Sequence, residues 1–395
     1  MEPKYPISRR GFMGAAAGAA AALGLVPGLA ARAQDVTGLA VPRDRNRQRA
    51  GEDEYDALAK LHFNENPYGP PESVLQAMTK AFKYANRYSY PDGNLTEEIA
   101  KLHGVARENV LIASGSGEIL DAVGSAFVDT GKRVVGAEPS YGQVYQHVTQ
   151  VKGAGIMVPL TSDYRQDIPA IINITKMRYR DVAFVYICNP NNPTGRIVTS
   201  AEIKQLLDGI PVDVPVLIDE AYHHFVEDPA YSTSIPFVKE GRPIIVTRTF
   251  SKIAALAGMR LGYAIAPRDI NQRLRNCMTG SVNAVVRWGG VAALKDAASE
   301  AWVKKVTLEQ RKRTVAALAA LGYQSIPSEA NFFMVNLKKP VAPLVGQFEK
   351  KGVLVGRPFP PMNEHLRVSI GSPAEMDMFL RVFGEIVGPQ RSAGG

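Results

Sequence analysis

An α/β fold built on a mostly parallel sheet, followed by a smaller α+β region, is predicted by three features of this 395-residue chain. Apolar runs of strand length alternate with helix-period segments from about residue 95. Polar loops rich in glycine or asparagine sit where the carboxyl ends of parallel strands would gather. After about residue 290 the alternation gives way to a long helical pattern and short strands.

Taken in order, NLTEEIAKLHG opens with the spacing of a capping box, Asn94 to Glu97, and closes at Gly104, which predicts a helix. NVLIAS is a short apolar run, and SGSGEILDAVGSAFVDTG reads as a glycine turn entering an amphipathic helix. RVVGA, SYGQVYQHVTQVKG, GIMVPL and DVAFVYIC continue the alternation up to a second capping-box spacing at Thr199 to Glu202. VPVLIDEAY, PIIVTRTFS and GMRLGYAIA follow as strand-like runs. Beyond them TLEQRKRTVAALAAL is helical up to Gly322, NFFMVNL, GVLVG and LRVSIG are short strands, and PAEMDMFLRVFGEIV is a closing helix. The implied division is a leader over 1–33, an arm over 34–70, a large α/β domain over 71–288 and a small domain over 289–390.

Composition limits the functional classes. With 46% hydrophobic and 21% charged residues, the chain is neither wholly disordered nor a multi-span membrane protein. The net charge of +8 is uneven: Lys4, Arg9, Arg10 and Arg32 against Glu2 give the leader +3, leaving +5 for the rest. Arg43, Arg45, Arg47 and Arg49 lie in a polar, arm-like stretch, and no basic motif interleaved with aromatics points to nucleic acid. Cys188 and Cys277 have no metal-type spacing, so no metal is expected, and Cys188 ends an apolar run as a small buried hydrophobe.

SRRGFM places paired arginines before the apolar run GAAAGAAAALGLVPGLAA, which ends in the small-x-small site Ala31-Arg32-Ala33. This resembles a twin-arginine export signal. It implies export of the folded chain to a bacterial periplasm through the twin-arginine machinery. A membrane-anchoring helix is the other reading, but the alanines, the glycines and Pro27 make the run weakly hydrophobic, so no stable membrane span is expected.

Several polar motifs carry chemistry. SGSGE, Ser114 to Glu118, offers unpaired backbone amides at a helix start, suited to a phosphate, and is neither a dinucleotide fingerprint nor a P-loop. NPNNPTG, Asn189 to Gly195, aims side-chain amides from a loop stiffened by prolines. VLIDEAY ends an apolar strand with Asp219, a carboxylate that needs a cationic partner, and Tyr222 follows three positions on. TRTFSKIAALAGMRLGY surrounds the lone Lys252 with hydroxyls and small residues, eight positions before Arg260.

NENPYGP (Asn64 to Pro70), YPD (Tyr90 to Asp92), NPNNPTG, DEAY, TFSK, LAGMRLGY, SEANFF and LRVSIG occur in the order found in class I/II, fold-type I, pyridoxal-phosphate aminotransferases. The match runs from about Leu61 to Ile370 and is most similar to the histidinol-phosphate aminotransferase branch. The resemblance implies that pyridoxal 5'-phosphate is held as a Schiff base on Lys252, whose freed amine then shuttles the substrate proton. Asp219 would face the ring nitrogen, Tyr222 and Asn192 the phenolic oxygen, and Tyr141 would stack on the ring. Arg260, Thr249 and Ser251, with the backbone at Gly115, Ser116 and Gly117, match the phosphate cup. Gly117 stands where the family often has an acidic residue. Tyr90 matches a tyrosine reaching the neighbouring subunit's phosphate, which implies a homodimer with shared active sites.

Arg367 matches the clamp on the substrate carboxylate, and Tyr68 is expected to line the substrate mouth. In the histidinol-phosphate branch an arginine in a GVxVRP-like segment holds the substrate phosphate. Here GVLVGRPF puts Gly356 before Arg357, and one added residue in a strand would turn that side chain to the other face. Together with export, this favours transfer between another L-amino acid, aromatic or polar, and a 2-oxo acid, with histidinol phosphate retained as a candidate. The same residues would serve a decarboxylase or a carbon-sulfur lyase of this fold, and a non-catalytic cofactor- or ligand-binding protein is the reading from a different class. His223 and His224 are expected to pack rather than react.

Overall fold

The computed structural model describes residues 52–390, and the residues from Ala57 onward form one compact unit. The leader with its paired arginines and the arginine cluster at 43–49 lie outside the described residues. Glu52–Asp56 is a five-residue helix belonging to the preceding unit.

After β1 (Ala59–Leu61) and α1 (Glu72–Ala81) comes α2 (Leu95–His103), whose start differs from the expected capping box. Asn94 sits in the left-handed region at φ 61° and ψ 38° and makes no side-chain cap. A capping side chain reaches the first turn from an extended backbone, which Asn94 does not have. Its N–H donates instead to Asp92 Oδ1 at 3.0 Å, and Glu97 pairs with Arg107.

Seven strands form the main sheet: β2 (Val110–Ala113), β3 (Arg133–Glu138), β4 (Ala154–Pro159), β5 (Val182–Cys188), β6 (Val216–Asp219), β7 (Ile244–Thr249) and β8 (Gly262–Ile265), in the order β2-β8-β7-β6-β5-β3-β4. β8 runs antiparallel to β2 and β7, while the remaining pairs are parallel. β5 is buried at every residue. Val185 and Ile187 enter one core with Val216 and Ile218; Phe184, Tyr186 and Cys188 enter the other with Leu217 and Ile245. A strand covered on both faces therefore reads as an unbroken apolar run.

The first of these helices, α3 (Ser116–Phe127), α4 (Gln143–Gln150), α5 (Ile168–Met177) and α6 (Ser200–Gly209), follow strands of the sheet. At α6 the expected capping box is present: Thr199 Oγ1 accepts from Glu202 N–H at 3.2 Å, and Glu202 Oε2 accepts from Thr199 N–H at 2.8 Å. The short α7 (Ile235–Lys239), then α8 (Arg268–Arg275) and α9 (Ala284–Lys295), lead to the 24-residue α10 (Ala297–Ala320).

A separate core lies beyond α10. Antiparallel β9 (Phe332–Asn336) and β11 (His365–Ser369), with α11 (Ala342–Lys350), β10 (Val353–Val355) and α12 (Pro373–Ile386), bury Phe333, Phe348, Leu366, Phe379 and Phe383 around Leu318. Ala59 and Leu61 join that core because β1 pairs in parallel with β10. A capping box at Ser372 and Glu375, not singled out in the sequence, starts α12, and Glu375 Oε1 also accepts from Lys60 N–H at 3.1 Å.

Gly356 has a clear steric reason. β10 ends at Val355, so strand alternation does not extend to Arg357 and the expected reversal of its face does not apply. A Cβ on Gly356 would lie 2.7 Å from the Arg367 carbonyl oxygen, to which its own N–H donates at 2.9 Å. The glycine allows β11, and with it Arg367, to approach closely.

Candidate active site

The site is assembled by strand register. Cys188 pairs with Asp219, Asp219 with Thr247, Thr249 with Gly262, and Gly262 with Ala113. The loops after β5, β6 and β7, the segment before β8 and the turn into α3 therefore meet at one end of the sheet, where ligands bind in α/β folds.

Asp219 is 3% exposed, and its carboxylate accepts from Thr247 Oγ1 at 3.0 Å. Burial pushes its pKa up to about 6, against the opposing pull of the Thr247 hydrogen bond and the Lys252 charge. Beside it the buried Glu220 forms an ion pair with Arg248 at 2.8 Å and accepts from Thr233 Oγ1 and Ser234 N–H. Those bonds fix the turn that follows Asp219.

Lys252 lies beyond the end of β7, with Nζ donating to the Phe63 carbonyl at 2.9 Å and sitting 5.7 Å from the centre of the Tyr222 ring. Loss of solvation, then the Arg367 charge, lower its pKa to about 8. Roughly a tenth of the amine is therefore unprotonated at pH ~7, far more than for an ordinary lysine.

Tyr222 is buried, and its hydroxyl oxygen accepts from Asn64 Nδ2 at 3.1 Å and Asn192 Nδ2 at 3.3 Å. Both acceptor positions are filled, which leaves the phenolic proton to donate. Asn192 Oδ1 accepts from Arg367 Nη1 at 2.7 Å, and Arg367 Nη2 donates to the His62 carbonyl. The Arg367 Nε is buried without a protein partner, and burial lowers the guanidinium pKa to about 10. Asn64 also holds Ser369 and accepts at its carbonyl from Asn331 Nδ2. Sequence reading quoted the motifs containing Asn64, Ser369 and Asn331 but gave these residues no role. What could have marked them is that each is a small polar residue interrupting an apolar or loop motif, yet buried polarity shows only once partners are placed.

At the other side Gly115 has φ +85°, and a Cβ there would run into Arg260 Nη2. Gly115 N–H donates to Ala113 O and Glu118 N–H to Gly115 O, while Ser116 and Gly117 N–H remain open at the uncapped start of α3. The Arg260 guanidinium is anchored by Ala257 O at 3.0 Å, and Thr249 Oγ1 lies 2.8 Å from Ser251 Oγ. Tyr141, 38% exposed, bonds Gln143 Oε1 through its hydroxyl.

Three predicted residues lie apart from this constellation. Tyr90 donates to the Val282 carbonyl at 2.7 Å within its own chain. Tyr68 stands edge-on to Trp302 at 4.7 Å and lines a cavity of about 290 Å³ with Ile253 and Val303. Arg357 is exposed and covers the Phe359 ring at 4.3 Å, while Arg367 meets the same ring at 4.7 Å. His223 and His224 are held neutral, their pKa values lowered by burial.

The donor set suits pyridoxal phosphate. A buried carboxylate with no ion-pair contact among the described residues calls for a protonated ring nitrogen, and the free proton of Tyr222 calls for an anionic oxygen. Arg260, the two open N–H groups and the Ser251 and Thr249 hydroxyls suit a dianion that Gly115, lacking a side chain, leaves room for. The Lys252 amine suits an aldehyde.

Residues 57–383 match the family described as aminotransferase class I and II. The chain is 36% identical over 340 residues to a histidinol-phosphate aminotransferase of Moorella thermoacetica, covering 84% of this chain and 86% of that protein. It is 37% identical over 334 residues to an aromatic amino acid aminotransferase of Rhodococcus jostii, covering 82% and 89%. A Sinorhizobium meliloti histidinol-phosphate aminotransferase solved with pyridoxal-5'-phosphate shares the fold, with a TM-score of 0.77 at 24% identity over 88% of this chain and 98% of that one.

The Asp219 carboxyl, with its pKa raised from 3.8 to about 6, binds a proton more readily folded than unfolded. Its charge therefore costs stability above pH ~6, and that cost disappears as the pH falls towards ~4. Without cofactor, Asp219→Asn should be more stable than the parent at pH ~8 by about 1–3 kcal/mol. Near pH ~4 it should show little difference, as urea unfolding at both pH values will measure, while cofactor affinity falls.

Proposed function

Because the chain belongs to aminotransferase class I and II and is a pyridoxal-phosphate-dependent transaminase, we propose that its donor is an aromatic L-amino acid and its acceptor a 2-oxo acid. The observation that carries this reading is the Phe359 ring packed 4.7 Å from the Arg367 guanidinium. Phe359 belongs to an apolar cluster with Ile326, Met334 and Met362, backed by Leu160 and Tyr164. Beside the carboxylate clamp the wall is apolar, and two exposed aromatics add to it: Phe63, whose carbonyl meets Lys252, and Tyr141, within electrostatic reach of Asp219 and Arg260.

In this reading Arg367 grips the substrate carboxylate, its Nε free for the second arm of a bidentate pair. Bound pyridoxal phosphate supplies an electron-accepting ring that acidifies the Cα–H of an amino acid. The Lys252 amine, kept partly unprotonated by desolvation and by Arg367, takes that proton and returns it. Asp219 holds negative charge in a buried place, Tyr222 donates its phenolic proton while Asn64 and Asn192 fix its oxygen, and Tyr141 shields one side from water. A second reading, a phosphate-bearing donor such as histidinol phosphate, is favoured by the exposed Arg357 guanidinium, which meets the same Phe359 ring as Arg367.

We also propose that the chain is exported folded by the twin-arginine route to the periplasm and works as a homodimer in which Tyr90 completes the neighbouring site. The paired arginines and the apolar run ending at Ala33 support export, and no helix among the described residues is long and apolar enough to cross a membrane. The support for a shared site is the YPD motif that carries Tyr90, whose hydroxyl in the single chain donates to Val282 O.

Steady-state assays with phenylalanine, tyrosine, histidinol phosphate and aspartate should give the highest kcat/KM for the aromatic donors. Phe359→Ala should lower that value ~10-fold or more, from the apolar contact removed. Aspartate as the best donor, or carbon dioxide or thiol release in place of a 2-oxo acid, would sink the reading; preference for histidinol phosphate, lost in Arg357→Ala, would select the second. For export and assembly, replacing both Arg9 and Arg10 with lysine should retain the protein in the cytoplasm. Mixing inactive Tyr90→Phe and Lys252→Ala subunits should restore part of the activity in hybrid dimers; an unchanged location or no restoration would refute the respective proposal.

A further inference from the structure

Gly117 stands where the family often carries an acidic residue, and the structure shows what fills the space. A Cβ built on Gly117 would lie 2.9 Å from both Nε2 and Oε1 of Gln143. The amide of Gln143 therefore occupies the volume that a side chain at 117 would take. Gln143 is the first residue of α4 and follows Tyr141 by two positions. Its Oε1 accepts from the Tyr141 hydroxyl at 3.1 Å. Its Nε2 donates to the Gly117 carbonyl at 2.9 Å and to Asp121 Oδ1 at 3.1 Å.

One amide thus joins the aromatic matched to ring stacking with the helical turn whose open N–H groups match the phosphate. The surroundings hold that amide in place. Asp121 Oδ1 lies 3.7 Å from His147 Nδ1, and His147 Nε2 bonds Ser125 Oγ at 2.7 Å, so α3 and α4 are tied by polar contacts at two levels. Gly124 permits the approach, since a Cβ there would stand 2.7 Å from His147 Cδ2. These groups face a cavity of about 440 Å³ that also reaches Arg260.

We propose that Gln143 is a positioning residue for the cofactor: it fixes the spacing between the Tyr141 ring and the phosphate-binding turn at Gly115–Gly117, and Gly117 is the substitution that makes room for it. The chemistry of the contact selects glutamine. The site needs an acceptor for a phenol and, on the same group, a donor for a carbonyl and a carboxylate; a side-chain amide has both, whereas a carboxylate would set lone pairs against Gly117 O and Asp121. Glutamine acts through Tyr141 and Gly117 and touches no reacting atom. Removing it frees the Tyr141 ring to tilt and the first turn of α3 to shift, which weakens the match to a ligand spanning both.

The test titrates cofactor-free protein with pyridoxal phosphate and, separately, with pyridoxal, which lacks the phosphate. Visible circular dichroism of the bound ring and the thermal midpoint of the free protein are read alongside. Gln143→Leu, which loses all three hydrogen bonds, and Gln143→Glu, which loses the two donated by Nε2, should each raise the Kd for pyridoxal phosphate about three- to tenfold, a modest change because the amide acts on the ligand only through Tyr141 and Gly117. The preference for pyridoxal phosphate over pyridoxal should shrink, the induced dichroism should change, and the thermal midpoint of the free protein should hold. Gly117→Ala should weaken binding in the parent and cost less in a Gln143→Ala background, because the truncated side chain no longer meets the added methyl. Parental Kd and dichroism in Gln143→Leu would overturn the proposal. So would equal weakening of both ligands in step with a lowered midpoint, or additive effects of the two substitutions.

Discussion

The in-register ends of β5, β6 and β7 are the constraint on which the rest of this molecule depends. Because Cys188, Asp219 and Thr247 are lateral neighbours in one parallel sheet, the carboxylate closing β6 is enclosed by strands on both sides, with a hydroxyl from the next strand as its hydrogen-bond donor. A buried anion in that position is unfavourable by itself, and its raised pKa records the cost. The same register carries the β5 loop to one side of Asp219 and Lys252 to the other. The electrostatic requirement and the placement of the amine thus have one geometric origin.

Charge balance around this point runs towards the positive. Lys252, Arg260 and Arg367 surround the site, and the Arg367 charge and loss of solvation together hold the Lys252 amine below its ordinary pKa. A dianionic phosphate and a substrate carboxylate are the groups such a field attracts. Polar contacts then divide the work. The chain of bonds from Arg367 through Asn192, Tyr222 and Asn64 to Ser369 couples β11 and the segment after β1 to the end of the main sheet. Anything that displaces β11 therefore disturbs the phenol and the Arg367 guanidinium together, and Gly356, packed on the Arg367 carbonyl, governs how close β11 can come.

Much of this was legible in the chain because the main sheet is covered on both faces. Runs such as VAFVYIC, of strand length and rich in β-branched and aromatic residues, read as strand core, and the polar residue closing each run falls at the ligand-binding end by topology. The α6 capping box was legible for a local reason, since side chain and backbone lie within four residues. The same logic misread Asn94 as a cap, because its left-handed backbone does not present the side chain to the first turn of the helix. Asn64, Asn331 and Ser369 could not be assigned roles, because their partners are up to 305 residues away. Strand period said nothing valid about Arg357, because β10 stops at Val355.

Sequence alone determined the class of fold and the order of its chemical motifs, because these depend on residue type and on periodicities a few residues long, whereas the roles expected of the amine, carboxylate and guanidinium groups came from the family resemblance those motifs carry. Tertiary structure decided which donors meet which acceptors: that Tyr222 keeps a proton to give, that Arg367 has an unfilled arm beside Phe359, and that the Gln143 amide fills the space at Gly117. Those outcomes depend on distances between segments far apart in the chain. Only packing of the finished sheet and helices sets such distances.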